Sequence, residues 1–194
     1  IQELENYTRQ DGIPDFRVKS VTKSPVKFPV VYWESEEASS KVIVGEDQAN
    51  DPVRAEAMAQ ACDSGSPIVT SVEPLGYSIG RVRDPNGLTI FQPVYDGGEV
   101  PDTVRERRAK LVGFVFVPMR GPVIFRNILE GQARRFLDVR IVERNPNGTG
   151  SQIYTSSRRN FDRDPAISQE NAFPVLGRDW VLVLHSSTVF EQES

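Results

Sequence analysis

The longest uncharged apolar stretch in the chain is Leu111–Met119, nine residues. A bilayer span needs about 20 such residues, so this stretch cannot cross a membrane. Nine residues suit one strand. Leu111-Val112-Gly113-Phe114-Val115-Phe116-Val117 is apolar on both faces, which predicts a strand in the middle of a sheet. The rest of the chain must supply the neighbours of that strand and the helices that cover it.

The segment 51–64 is the clearest helix. Asn50 or Asp51 can cap its start, Pro52 suits the first turn, and Gly65 is a left-handed stop. Ala55, Met58, Ala61 and Cys62 form a narrow apolar stripe whose small side chains let a sheet or another helix come close. Residues 1–9 read as the last turns of a longer helix, ended by Gly12 and Pro14. Strand patterns are expected at 16–22, 28–33, 41–45, 67–72, 88–95 and 110–119. A turn region rich in Gly and Pro fills 74–87 and includes the hairpin signal Asp84-Pro85-Asn86-Gly87. A short helical turn rich in Arg and Glu precedes the 110–119 strand. Residues 122–136 have helical spacing. Strands at 138–144 and 151–155 are expected to join through a turn at 145–148, and 156–169 reads as a polar loop. The segments 171–175 and 179–185, joined at Gly177, read as a hairpin. This order predicts an α+β fold with antiparallel sheets and helices to one side.

The composition excludes several chemistries. The single cysteine, Cys62, rules out an internal disulfide and a Cys-rich zinc site. The single histidine, His185, rules out the common multi-His metal sites. No nucleophile elbow, P-loop, dinucleotide fingerprint or HExxH pattern occurs. No catalytic residue, metal or cofactor is therefore expected. His185 ends a strand with no nucleophile and carboxylate beside it, and Cys62 on an apolar helix face reads as packing. An acidic pI near 5.2 argues against a nucleic-acid partner. The charge is uneven: residues 1–104 carry 9 basic and 17 acidic groups, whereas 105–145 carry 10 and 4. That basic block reads as a solvated face with internal ion pairs, the alternatives being that it faces anionic lipid or the acidic N-terminal half. The start of the chain, Ile1-Gln2-Glu3-Leu4-Glu5, has no signal-peptide pattern and reads as the start of an excised fragment. Asp51 is expected to cap the helix. Asp47 has no structural task legible in the sequence. A carboxylate just before a helix can accept hydrogen bonds from the N–H groups of a polar ligand.

An ordered set of motifs adds to this reading. It comprises Gly12-Ile13-Pro14-Asp15-Phe16, the segment 47–65 with Asp51-Pro52-Val53-Arg54, Gly65-Ser66-Pro67-Ile68-Val69-Thr70, Pro93-Val94-Tyr95, Arg107-Arg108 and Leu111-Val112-Gly113-Phe114-Val115. In this order and spacing the chain resembles the CHASE domain. That domain is the extracytoplasmic sensor of plant cytokinin-receptor histidine kinases and of many bacterial histidine kinases and diguanylate cyclases. The resemblance covers roughly residues 10–125, and the remainder fits the second half of the domain. Three departures stand out. Gly45-Glu46-Asp47 replaces the Gly-Tyr/Phe-Asp common in the family, Ala55 stands where a second Arg often follows Arg54, and the 74–87 turn region is longer.

The resemblance implies the end of a stalk helix over 1–12, a membrane-distal PAS-like subdomain over 13–120 and a membrane-proximal one over 121–194. It implies a periplasmic or extracytoplasmic location within an inner-membrane protein. The receptor would be a homodimer, and ligand binding would be relayed to a cytoplasmic histidine kinase or diguanylate cyclase. The expected partner is a small molecule, adenine-like in the plant members, where the carboxylate matching Asp47 hydrogen-bonds the adenine and backbone near Val69 helps. Asp47, Val69 and Thr70 thereby become ligand-binding candidates. Phe91 and Phe116 join them because their strands are expected to face a PAS-like cavity. The alternative is a structural or protein-interaction module of the same receptor, with Asp47 paired internally and signalling through a partner protein or dimerisation.

Overall fold

The computed structural model describes residues 1–34, 43–75, 86–129, 136–144, 150–156, 161 and 164–193. The chain is α+β, with two antiparallel sheets and flanking helices, consistent with two PAS-like subdomains. The described elements are α1 (Gln2–Gln10), a 3-10 turn (Gln48–Asn50), α2 (Pro52–Ser64), β1 (Ile68–Val69), β2 (Gly87–Tyr95), α3 (Val104–Lys110), β3 (Leu111–Arg120), α4 (Gly121–Leu129), β4 (Leu137–Arg144), β5 (Gly150–Thr155), β6 (Ser168–Val175), β7 (Arg178–Ser186) and α5 (Thr188–Glu193). One sheet has the order β1-β2-β3 and the other β5-β4-β7-β6.

Two compact units result. Of the described residues, the first unit holds 1–34, 43–66 and 91–115, and the second holds 67–75, 86–90 and 116–193. The units are not consecutive in sequence. Strands β2 and β3 each give residues to both, and the expected boundary between 120 and 121 falls inside the second unit.

In the first unit, α2 forms as its end signals require. The Asp51 side chain accepts hydrogen bonds from the N–H groups of Val53 and Arg54, Pro52 opens the helix, and Gly65 closes it at φ 72°. Its buried face carries Ala57, Met58, Ala61 and Cys62, and Phe16, Val30, Ile43, Phe91 and Tyr95 of the same unit are buried as well. The C-terminal turn is tied down twice. Tyr95 Oη donates to the Cys62 carbonyl at 2.8 Å, and Arg107 Nε donates to the Asp63 carbonyl at 2.9 Å. These bonds satisfy carbonyls that a helix end leaves without intrahelical partners. Helix α3 starts with a capping box between Thr103 and Glu106 and buries no residue.

The expected strands at 16–22 and 28–33 are not strands. The segment is irregular and touches the rest through isolated bridges, Lys19 with Glu46 and Pro29 with Asp47. Pro25 and Pro29 lack the N–H a ladder needs, so only Lys19, Phe28 and Val30 bond the backbone of 45–48, and side chains add to these few bonds. Of the expected 41–45 strand, residues 43–45 form a turn and the rest lies outside the described residues. The 67–72 strand shortens to Ile68–Val69. The turn at 145–148, and the 84–87 hairpin signal apart from Asn86 and Gly87, lie outside the described residues. So do residues 130–135 of the expected 122–136 helix.

Strand β3 corrects the opening expectation. Its apolar run predicts the middle of a sheet, but among the described strands it is the edge and β2 is the centre. Val112, Val115 and Val117 of β3 are 69%, 60% and 51% exposed. Strand β2 buries Leu88, Thr89, Phe91 and Tyr95. It can carry a buried Thr89 because that residue is satisfied: its hydroxyl donates to Glu73 at 2.8 Å and its N–H donates to Thr70 Oγ1 at 2.9 Å. A satisfied polar residue tolerates burial, whereas apolar residues are not obliged to be buried.

The second unit is a four-stranded sheet with α4 over it. Val139, Ile141, Ile153, Tyr154 and Trp180 form its core with Val69 and Leu88, and Phe125 of α4 packs against them. The Phe125 ring lies 6.0 Å from Tyr154 and 5.9 Å from Trp180. The hairpin expected at 171–185 forms with β6 starting three residues earlier, at Ser168. Val175 pairs with Arg178, so Leu176 and Gly177 make a two-residue turn. Both have positive φ, 43° and 83°, the pattern of the turn whose twist matches a hairpin.

Gly65 tests the α2 stop. A Cβ there would lie 2.5 Å from Val100 and 3.2 Å from Arg107, on a backbone that already disfavours side chains. Gly65→Ala is expected to cost at least about 1–2 kcal/mol in urea denaturation, with the slope unchanged.

Candidate functional site

The first unit contains a cavity of about 380 Å³ between α2, β3 and the irregular segment before α2. Helix α2 presents Ala55, Met58, Ala59, Cys62 and Asp63 to it, positions one helical face repeats. Strand β3 contributes Leu111 and Phe114. The third wall is made by Thr22, Ser24, Val26 and Phe28, alternate residues of one irregular stretch that bends at Pro25, together with Ala49. Small side chains on α2 leave the space. Aromatic rings close its far side: Phe28 meets Phe114 edge-on at 5.1 Å, and Phe114 meets Phe91 edge-on at 6.0 Å.

The electrostatics of the lining are simple. Asp63 and Arg108 form a bidentate pair at 2.7 and 2.6 Å, so the two charges satisfy each other. The hydrogen bond from Arg108 is the main reason the Asp63 carboxyl sits below its ordinary range. Burial, then the neighbouring Asp63 charge, pushes the Cys62 thiol up. The remaining polar groups on the wall are the hydroxyls of Thr22 and Ser24. A cavity of this size, carbon-lined with a few hydroxyls, falls at the small end of ligand pockets. Among the described residues no cluster of three or more His, Cys, Asp or Glu is placed to hold a metal.

The five candidate residues are not gathered around it. Asp47 and Phe91 belong to the first unit, and Val69, Thr70 and Phe116 to the second. Asp47 is 3% exposed and is engaged by the protein itself. Its Oδ1 accepts from the N–H of Phe28 at 2.9 Å and of Ala49 at 3.1 Å, and its Oδ2 accepts from Ser20 Oγ at 2.7 Å. Phe91 is fully buried one ring behind the cavity wall. Val69 is in the core of the second unit, where its N–H donates to the Leu176 carbonyl at 3.0 Å. Thr70 is fully buried and pairs with Thr89. Phe116 is half-buried on β3.

The cavity-lining residues Thr22, Ser24, Val26, Phe28, Ala59 and Phe114 were not singled out from the sequence. Two signals point to them. One is the two-residue alternation from Thr22 to Phe28, and the other is the small-residue face of α2.

The family model that matches is the CHASE domain, over residues 1–154. The chain belongs to the CHASE domain family. CHASE domains are extracytoplasmic sensor domains of signalling receptors and are not themselves catalytic. No curated protein matches the chain. Among the described residues no helix is long and apolar enough to cross a membrane.

The raised Cys62 thiol gives a direct check of the site. Thiolate, not thiol, reacts with an alkylating reagent, so a raised pKa leaves less of the reactive form at pH 8. The alkylation rate plotted against pH is expected to turn over above the ordinary cysteine range of about 8.5. A midpoint at or below that value would show Cys62 to be solvated.

Proposed function

We propose that this CHASE domain is a small-molecule sensor whose ligand occupies the cavity of the first unit and biases the signalling state of a membrane receptor. The observation that carries this reading is the cavity itself: about 380 Å³ left open by alanines on α2 and walled by Phe28, Phe114, Met58 and Leu111. The space is a cleft partly open to solvent, with Ser24 and Val26 exposed on its rim, so a molecule that fills it gains contacts with the carbon lining. The lining fits an uncharged, flat or partly apolar molecule with one or two groups for the hydroxyls of Thr22 and Ser24. An adenine derivative is one member of that class. A strongly charged ligand would have to break the Asp63–Arg108 pair.

The receptor context follows the family. The output is a cytoplasmic histidine kinase or diguanylate cyclase, the domain lies in the periplasm, and the receptor works as a homodimer. A ligand moves such an equilibrium by its difference in affinity between two states and no more. One observation favours the second reading, a module that signals through a partner protein: Asp47, the carboxylate that matches the ligand anchor of the plant members, is paired internally. It leaves the cavity without an ionic anchor, and the apolar wall then has to supply the affinity.

Native mass spectrometry of the purified domain, then a thermal-shift screen of uncharged aromatic and adenine-type compounds, tests the choice. A ligand at a hundred times its Kd stabilises by about 2.7 kcal/mol, a rise of about 5–10 °C in Tm for a domain this size. Ala55→Phe, which fills the cavity from α2, is expected to abolish that rise while the protein stays folded. An empty protein and a flat screen at millimolar ligand would favour the partner-protein reading.

A further inference from the structure

The walls of the cavity are unequal. Helix α2 and strand β3 are hydrogen-bonded elements. The wall made by 22–28 is neither helix nor strand. Among the described residues, the hydrogen bonds of 23–27 run back into the stretch itself: Ser24 N–H to Thr22 Oγ1, Val26 N–H to Ser24 Oγ, and the Lys27 ammonium to the Thr22 carbonyl. Pro25 has no N–H to give. Ser24 and Val26 are exposed although they line the cavity. Such a stretch has little holding it in its middle.

Its ends are held by two side chains that flank the 3-10 turn before α2 and by backbone bonds of Lys19, Phe28 and Val30 to residues 45–48. Asn50 Oδ1 accepts from the N–H of Val21 at 2.8 Å and of Thr22 at 3.2 Å, while Asn50 Nδ2 donates to the Lys19 carbonyl at 3.1 Å. Asp47 takes Ser20 Oγ on one oxygen and the Phe28 N–H on the other. The Phe28 carbonyl also accepts from Gln48 N–H at 3.0 Å. One end of the stretch is pinned at 20–22 and the other at 28, with five residues free to lift between them.

We propose that residues 22–28 are a strap through which ligand enters the cavity, and that Asp47 and Asn50 are positioning residues that pin its two ends and do not touch the ligand. This deepens the small-molecule reading of the same cavity and rests on it for the identity of what enters. Charge-assisted bonds from a carboxylate to a backbone N–H and a hydroxyl are stronger than neutral ones, so Asp47 is the tighter of the two pins.

The chain carries its own reporter. Cys62 is the single cysteine, lines the cavity and is 5% exposed. The experiment labels the intact domain with N-ethylmaleimide at pH 8 and follows the adduct by mass spectrometry at increasing urea, beside global unfolding by circular dichroism. If the strap gates the cavity, Cys62 labels in the folded protein with a urea slope well below that of global unfolding. Asn50→Ala and Asp47→Asn then raise the labelling rate in the absence of urea about tenfold or more. The slope is the readout that a merely stabilising role would not move. Should Asp47→Asn fail to fold, the wild-type slope and Asn50→Ala decide alone. Labelling that follows the global unfolding slope overturns the proposal, and so do rates unchanged in both variants. These outcomes do not depend on any ligand. A strap that labels as expected beside a flat ligand screen sinks the sensor reading and keeps the gate. A ligand that binds while Cys62 labels only on global unfolding does the reverse.

Discussion

The carboxylate of Asp47 is the interaction on which the first unit is built. A carboxyl side chain at 3% exposure is costly unless its oxygens are filled, and here three donors fill them. Those donors come from three places in the chain: Ser20, Phe28 and Ala49. One buried carboxyl group thereby fixes a stretch that has no ladder and sets it beside the start of α2. Asn50, three residues on, repeats the device with an amide. The wall at 22–28 is anchored at its ends by these side chains and by backbone bonds of Lys19, Phe28 and Val30 to 45–48, while α2 holds its own shape between the Asp51 cap and Gly65.

The second unit uses the same solution with different residues. Glu143 of β4 is 3% exposed, accepts from Ser71 Oγ at 2.9 Å and from the Val72 N–H at 3.2 Å, and lies 3.8 Å from Arg178 of β7. Arg178 Nε donates in turn to the Val69 carbonyl at 3.2 Å. The stretch 69–72, of which only Val69 is strand, is held to the four-stranded sheet by a carboxylate and a guanidinium. Removing one partner of such a set strands the other's charge in a dry core, so the set holds together or fails together. Arg178 also begins the strand that follows the Leu176–Gly177 turn. The turn, the ion pair and the 69–72 stretch are therefore coupled through one residue.

What was legible in the sequence follows from range. The α2 helix was legible because its signals are local: Asp51, Pro52 and Gly65 each act on their own turn. The hairpin at 168–186 was legible for the same reason, from Gly177 and the alternation in Trp180-Val181-Leu182-Val183-Leu184. The family was legible from the ordered motifs between Gly12 and Val115. What failed depended on distant partners. Phe28–Trp33 has strand propensity, yet it finds the Asp47 carboxylate, one isolated bridge and a few backbone bonds of Phe28 and Val30 to 45–48, so no ladder forms. Strand β3 is apolar along its length, and only the sheet order reveals that it is an edge. Asp47 showed no structural task because its task is to bind residues 19 and 27 positions earlier. The cavity is half visible in the sequence: the small residues of α2 predict a close approach, and they leave a space instead.

The placement of Asp47 bears on how a receptor of this family can change its ligand without changing its fold. A carboxylate that contacts ligand ties specificity to a charge, and a new ligand must offer an N–H to it. A carboxylate that holds the wall leaves specificity to the wall. Thr22, Ser24, Val26 and Phe28 face the cavity from a stretch whose backbone is positioned from its ends, so their side chains can vary at little cost to the frame. The opposite wall constrains size through Ala55, Ala59 and Met58, where each added carbon takes volume from the cavity. On the proposed reading, affinity would be governed by shape and buried apolar area, and signalling by how far the occupied cavity alters the position of the strap. A ligand that fills the cavity and packs on Val26 and Phe28 adds contacts at the least supported wall. On that reading, this is where a given binding energy would displace the most chain, because the bonds that tie the stretch to the rest of the unit lie at its ends.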